Sequence, residues 1–409
     1  MHFIISNECQ NFNVASIWQI CMEDKNAFYN DGFMNTYVEC FIGPFIKTFL
    51  AWSTDVKVRW NAASGGVGTA LLMYMLKEGV VDAVLVPKPR VRQGLIHGVY
   101  TIIKEPSELP KYSGSLYAPV FGLIKILNYA LNKFRRIAVT AIPCQADIIR
   151  SLIKRQKLEE KVLIIGLYCS NTPGINATRY VIKRFGINPD DLESIRYRGC
   201  GWPGYMCLKT RIQNIKIPFV SFWSSGFGQY FYFYGLRCYL CTDHTNVSAD
   251  LSLADPWTLP HEPIKRLGGA TLVVVRSRKA LEIFEGAIKA GYIEAIEVDP
   301  IYSINDDLLF KLAVRALYRH KHAKLPPGFT TVARELTFYF GRFLASNERL
   351  WIILRLYNKF IPTIIYTIAS FLDSKFRTTW MRIYTDIKFL QKKRSKYFAL
   401  MLDENEKLD

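Results

Sequence analysis

The chain has 409 residues, of which 50% are hydrophobic and 14% aromatic, and its formal net charge is +18. That composition excludes a disordered chain, and the length suits one large α/β domain with appendages or two modest domains. The charge is uneven: from Lys311 to Asp409, 19 Lys and Arg face 8 Asp and Glu, a basic stretch suited to an anionic membrane surface, and no nucleic-acid-binding motif accompanies it.

The N-terminus, Met1 to Cys9, lacks a basic n-region, a long apolar run and a small-residue cleavage site. The expected location is therefore cytoplasmic, peripheral on the inner face of the membrane where the basic tail meets lipid. Nine cysteines, an odd number in a reducing compartment, read as thiols or metal ligands rather than a disulfide framework.

Residues 1–55 show weak periodicity and scattered Cys9, Cys21 and Cys40, so they are set apart as an irregular N-terminal segment. From Arg59 the pattern clears. The turn Ser64-Gly65-Gly66 leads into a helix from Val67 to Lys77, then Gly79, then an apolar strand from Val81 to Val86 that Pro87 and Pro89 should close. Arg136 to Ile142 reads as a strand, Pro143 to Lys154 as a helix, and Val162 to Tyr168 as a second strand ending at Cys169. Near-continuous apolar strands joined through a helix predict a parallel sheet buried on both faces.

Between Ser194 and Trp257 lies a Gly-, aromatic- and Cys-rich region with short strands at most, followed by a strand from Ala270 to Val275, a helix from Lys279 to Ala290 and a strand from Ile293 to Val298. In the tail, Asn347 to Met401, the most apolar part is Ile361 to Leu372, too short for the ~20 residues a membrane span needs. It reads as amphipathic helix on a membrane surface, or packed on the core or a partner. The expected class is α/β, with a parallel or mixed central sheet, flanking helices, a Cys-rich loop region and a helical basic C-terminal tail. The expected segments are 1–55, 56–310 and 311–409.

The chemistry concentrates in cysteines and glycines. Cys144 follows Pro143 at a helix start, where the helix dipole favours thiolate, and Cys169 ends the next strand. In an open parallel sheet such strand ends face one crevice. Adding the Cys238-x-x-Cys241 pair gives four thiolates, enough for an iron–sulfur cluster, for a structural zinc or for redox disulfide chemistry; CxxC by itself does not choose among them. The turn Ser64 to Thr69 presents backbone N–H groups at a helix N-terminus and suits a phosphate, or serves as a plain loop-to-helix turn. Arg196 to Gly204 pairs guanidinium groups with an aromatic ring, suiting an anionic planar ligand or a loop pinned by Trp202. Asp243, Asp250 and Asp255 orient ligands or carry protons on one reading and cap local backbone on the other.

Six ordered blocks carry a resemblance. They are Ala63-Ser64-Gly65-Gly66, Gly114-Ser115-Leu116-Tyr117, Ile142-Pro143-Cys144-Gln145, Leu167-Tyr168-Cys169, Arg198-Gly199-Cys200-Gly201-Trp202-Pro203-Gly204, and Arg237-Cys238 through Trp257. In that order, over residues 59–300, the chain resembles the coenzyme F420 hydrogenase/dehydrogenase beta subunit family.

The resemblance implies an iron–sulfur flavoprotein oxidoreductase. It would hold FAD and a [4Fe–4S] cluster and pass electrons between a two-electron carrier and one-electron centres. It further implies Cys144, Cys169, Cys238 and Cys241 as cluster ligands, with Ser64, Gly65, Gly66, Thr69, Tyr117, Arg198, Gly199 and Trp202 at the flavin. The implied partners are a redox partner protein or a reduced coenzyme, and a small-molecule substrate such as a sugar or surface-polysaccharide intermediate. The alternative is a non-catalytic electron-transfer or scaffold subunit of a larger complex. Two departures stand out. The closely spaced CxxCxxC ligands of a ferredoxin-like N-terminal segment are missing, and Cys200 and Leu116 stand where Lys is common. Losing two cations argues against an anionic coenzyme such as F420 itself, and Cys200 or Cys207 becomes a competing ligand.

Overall fold

The computed structural model describes residues 31–92, 94–222 and 243–305, together with residues 238, 241, 308, 387, 388, 391 and 392. Cys9, Cys21, the aromatic stretch 230–234 and most of the basic tail lie outside the described residues.

In chain order, helix α1 (Asp31–Ile42) precedes strand β1 (Lys47–Ser53), then α2 (Val56–Asn61), α3 (Val67–Lys77), β2 (Ala83–Arg92), β3 (Leu95–Ile103), β4 (Val120–Phe121) and α4 (Leu123–Lys133). There follow β5 (Ile137–Ala141), α5 (Pro143–Arg155), β6 (Val162–Leu167), α6 (Ile175–Arg184), β7 (Leu192–Arg196), β8 (Tyr205–Thr210), β9 (Asn214–Pro218) and α7 (Phe219–Phe222). The described chain continues with β10 (Leu251–Ala254), α8 (His261–Arg266), β11 (Thr271–Val275), α9 (Arg278–Lys289) and β12 (Ile293–Glu297).

Among the described residues, nine strands form one mixed sheet in the order β12-β1-β11-β10-β6-β5-β2-β3-β4, and β7-β8-β9 form a separate antiparallel sheet. The centre, β2-β5-β6-β10, is parallel, as the uninterrupted apolar strands predict. Every residue of β5 except Thr140, and every residue of β6 except Leu167, is buried. Helices cover both faces: α3 and α9 pack with β1, β11 and the start of β2, while α4 and α5 pack on the other side of β2, β5 and β6. A fully buried Leu, Ile or Val contributes about 1.5–3 kcal/mol, so these two layers dominate the stability.

The structure differs from the sequence expectation at β2. The strand does not close at Pro87 but runs through Pro89 to Arg92, paired with β3 as a hairpin. Neighbour β5 pairs only Ala83 to Leu85. Residues 87 and 89 are two apart, so their nitrogens face the same edge of the strand. That edge has no partner beyond Leu85, which is where proline is tolerated in a sheet. Residues 47–53, left in the weakly patterned N-terminal part of the sequence, form β1 inside the sheet between β11 and β12.

Candidate functional site

The parallel strands β5, β6 and β10 end on the same side of the sheet, and β11 enters from there because it runs antiparallel to β10. Beyond those ends lies a groove of about 730 Å³, the place where open α/β sheets bind ligands.

One end of the groove is the turn leading into α3. It is fastened from below: Ser53 N–H donates to Gly65 O at 2.8 Å, Gly65 N–H donates to Thr271 Oγ1 at 2.9 Å, and the Ser64 and Thr271 hydroxyls lie 2.9 Å apart. Gly65 is a glycine for packing: a Cβ there would stand 2.7 Å from Ala270 Cα and Ala51 O. Gly66, at φ +77°, turns the chain into the helix, and no side chain caps the N-terminus of α3. The N–H groups of the first helical turn are left without intrahelical partners, and Ser64, Gly66, Gly68 and Thr69 line the groove beside them.

The middle of the groove is built from strand ends. Pro143 occupies the first turn of α5, where its missing N–H costs nothing, and Gln145 accepts from Ile142 N–H at 3.2 Å. Gln145 Oε1 and Thr140 O both lie 2.9 Å from the Tyr100 hydroxyl. Burial, and after it the neighbouring Cys144, holds that phenol well above its ordinary range. Asn246, fully buried, donates to Ala141 O at 2.7 Å and Leu167 O at 3.3 Å, tying the ends of β5 and β6 together. Asp243 holds Asn246 in place by accepting from the backbone N–H groups of Thr245, Asn246 and Val247.

The four candidate ligand cysteines are thiols at this end of the sheet. Cys144 sits in the first turn of α5, and Cys169 follows β6 and lines the groove. Cys169 N–H donates to His244 O at 2.9 Å, which holds His244 against the residues that follow β6. Cys238 Sγ lies 3.9 Å from Thr172 O, Cys241 N–H donates to Cys238 O at 3.3 Å, and Cys241 Sγ lies 3.2 Å from Asp243 O. All four are partly buried and none is in a disulfide. Among the described residues no group of three or more His, Cys, Asp or Glu side chains is close enough to hold a metal ion.

Of the eight residues implied at the flavin, Ser64, Gly66, Thr69 and Tyr117 line the groove, and Gly65 lies beneath it. Tyr117 is packed edge-on against Tyr197, with ring centroids 5.6 Å apart. Arg198, Gly199 and Trp202 do not line it. Arg198 is fully buried, bonded to Asp255 at 2.5 Å, with its guanidinium 4.4 Å from the ring centre of Phe219 and 5.7 Å from that of Trp257. Trp202 packs at a tilt against Trp257, ring centroids 4.8 Å apart, and donates from Nε1 to Asp255 at 3.3 Å. The loop thus supports Asp255, which does line the groove, from behind. Tyr100 carried no motif in the sequence, and Asn246 lay unremarked within the Arg237 to Trp257 block. Gln145 was visible only as the last residue of the Ile142 to Gln145 block.

A model of "Coenzyme F420 hydrogenase/dehydrogenase, beta subunit N-term" matches residues 48–128, and its companion model for the C-terminal part of the same protein matches residues 134–301. The chain belongs to this family. It is 29% identical over 294 residues to the F420-dependent formate dehydrogenase subunit beta of Methanocaldococcus jannaschii, covering 69% of this chain and 71% of that one. It is 23% identical over 271 residues to the coenzyme F420 hydrogenase subunit beta of Methanothermobacter thermautotrophicus, covering 64% and 87%. A chain in a structure of the F420-reducing [NiFe] hydrogenase complex from Methanosarcina barkeri superposes with a TM-score of 0.52 at 17% identity, covering 69% of this chain and 94% of that one. That likeness concerns the fold, and it agrees with the α/β class expected from the sequence.

Proposed function

We propose that this family member is an electron-transferring oxidoreductase subunit that binds FAD in the groove and a [4Fe–4S] cluster on Cys144, Cys169, Cys238 and Cys241. The observation that carries the proposal is one groove that joins the uncapped N-terminus of α3 to the thiol of Cys169. The names of its relatives, beta subunits of hydrogenases and formate dehydrogenases, support an electron-transfer role within a multi-subunit assembly.

The residues fit both groups in chemistry. Unpaired helix N–H groups beside Ser64 and Thr69 suit a diphosphate. Four partly buried cysteines outside disulfides suit a thiolate-ligated cluster. When bound, a flavin accepts an electron pair at its ring and releases electrons singly, which a cluster takes up one at a time. The chain's own work is to hold and exclude. The first turn of α3 neutralises phosphate charge, Tyr100 and Gln145 fix the mouth of β5, and Leu253, Val86 and Tyr117 present apolar groove surface that sheds water. Burial pushes the Tyr117 hydroxyl above the ordinary phenol range, so it stays a hydrogen-bond donor well above neutral pH. For the oxidised or reduced substrate, a small organic molecule such as a sugar or surface-polysaccharide intermediate is the reading we favour over F420, because Leu116 lines the groove where family members carry a cation.

The test is anaerobic purification with iron, sulfide, zinc and flavin quantified on one sample. About four irons and one flavin per chain are expected, and Cys238→Ser should lose the iron while keeping the fold by circular dichroism. Zinc alone, or neither metal nor flavin after reconstitution, would overturn the redox assignment and leave a scaffold subunit.

A further inference from the structure

Cys200 and Cys207 lie away from the groove, and their sulfurs are 3.7 Å apart. Cys200 occupies a left-handed position, φ +61°, between Gly199 and Gly201. Its turn is fastened on both sides: Gly201 N–H donates to Trp60 O at 2.9 Å and Tyr205 N–H donates to Gly199 O at 2.8 Å. Cys207 sits in the middle strand of the small sheet, paired with Arg196 on β7 and Lys216 on β9. Both thiols are partly buried. Cys200 lines a second cavity of about 330 Å³, together with Trp60, Tyr205 and Lys265.

Burial and the S–H contact with Cys200 push the Cys207 thiol up to about 11, against the opposing pull of Lys216 and Arg196. Cys207 therefore stays protonated at neutral pH, and either sulfur can be the donor in the contact. A cavity-lining thiol 3.7 Å from a second one that holds its proton, with two cations across the strands, divides the roles of attacking and resolving thiol.

We propose that Cys200 and Cys207 form a redox-active dithiol site that takes up low-molecular-weight disulfides. The Cys200 thiolate attacks one sulfur of the incoming disulfide, whose S–S bond breaks and releases one thiolate, leaving a mixed disulfide on Cys200. Cys207 then loses its proton and displaces the second small thiolate, forming the Cys200–Cys207 bond. Two protein thiols are oxidised, one small disulfide is reduced to two thiols, and the two protein protons pass to the leaving thiolates. The sulfurs must close from 3.7 Å to about 2.05 Å. The site does not depend on what the groove binds.

The reduced full-length protein is exposed to glutathione disulfide, quenched with acid, alkylated and peptide-mapped by mass spectrometry. A Cys200–Cys207 linked peptide is expected, with about a tenfold loss of alkylation at both positions. Cys207→Ser should stop at a glutathione adduct on Cys200, and Cys200→Ser should give no adduct on Cys207 on the same timescale. Undiminished alkylation of both cysteines would overturn the proposal, as would glutathione arriving first at Cys207 or a link from Cys200 to a groove cysteine. The unsubstituted chain decides the matter by itself if either variant fails to fold.

Discussion

Asp243, Asp250 and Asp255 lie within one short acidic stretch, yet their neighbours give them three different tasks. Asp243 caps a turn through its own backbone. Asp250 pairs with Arg150 at 3.0 Å and accepts from Ile164 N–H at 2.8 Å, joining α5 to β6. Asp255 neutralises the buried Arg198. The local capping role of Asp243 could be read from sequence, because it needs only residues two to four positions away. The partners of Asp250 and Asp255 are between 53 and 100 positions away, and no short-range pattern names them. Removing the charge of Asp255 would leave a guanidinium buried without compensation. Asp255→Asn is therefore expected to lower stability by about 3 kcal/mol, read as a shift in the urea midpoint at unchanged slope. A midpoint within error of the parent would mean that Arg198 finds another partner.

Among the elements, β5, α5 and β6 were legible almost to the residue, because a strand buried on both faces and a helix opened by Pro143 leave strong local signals. Strand β1 was not, although it is central: its partners β11 and β12 begin more than 200 positions later, and its burial is decided by them. The extension of β2 past two prolines was illegible for the same reason, since only the short reach of β5 frees that edge. The entry of β2 is clamped by Asp82, whose carboxylate accepts from Arg135 and Arg136 N–H at 2.8 and 2.9 Å. Those bonds, the one from Arg136 foremost, hold its pKa below the ordinary carboxylate value. A depressed folded-state value means that Asp82 contributes stability above about pH 4, which is lost as pH falls through the folded-state value. Asp82→Asn should lower the melting temperature at pH 7 and flatten its decline below about pH 4. An unchanged acid limb in a thermal-unfolding series across pH would show that the clamp carries no linkage.

For the whole molecule, the far end of the chain returns to the body. Ile387 is fully buried in the core cluster that holds Val38, Ile42 and Ile301, and Gln391 donates to Ile301 O at 3.1 Å and Ile304 O at 2.6 Å. The spacing of four places both on one helix face. The basic region is thus anchored at these residues to the α/β body. Gln391→Ala would leave two buried carbonyls without these donors and is expected to cost about 1–3 kcal/mol. Truncation after residue 310 should cost more, because it also exposes Ile301 and Ile304. Differential scanning calorimetry of the two variants checks the order, and equal melting temperatures for truncated and full chains would refute it. Among the described residues no helix is long and apolar enough to cross a membrane.

The sequence by itself determined the α/β class, the parallel centre of the sheet, the glycine turn before α3 and the family, because each rests on residues adjacent in the chain or on ordered blocks. Only the tertiary structure decided which residues line the groove. It moved Arg198 and Trp202 behind Asp255, put Tyr100 beside Gln145, and brought Cys200 against Cys207. Those outcomes depend on how strands far apart in sequence align and on which side chains the resulting layers enclose. Burial and charge pairing are properties of that packing, and the order of residues along the chain does not state them.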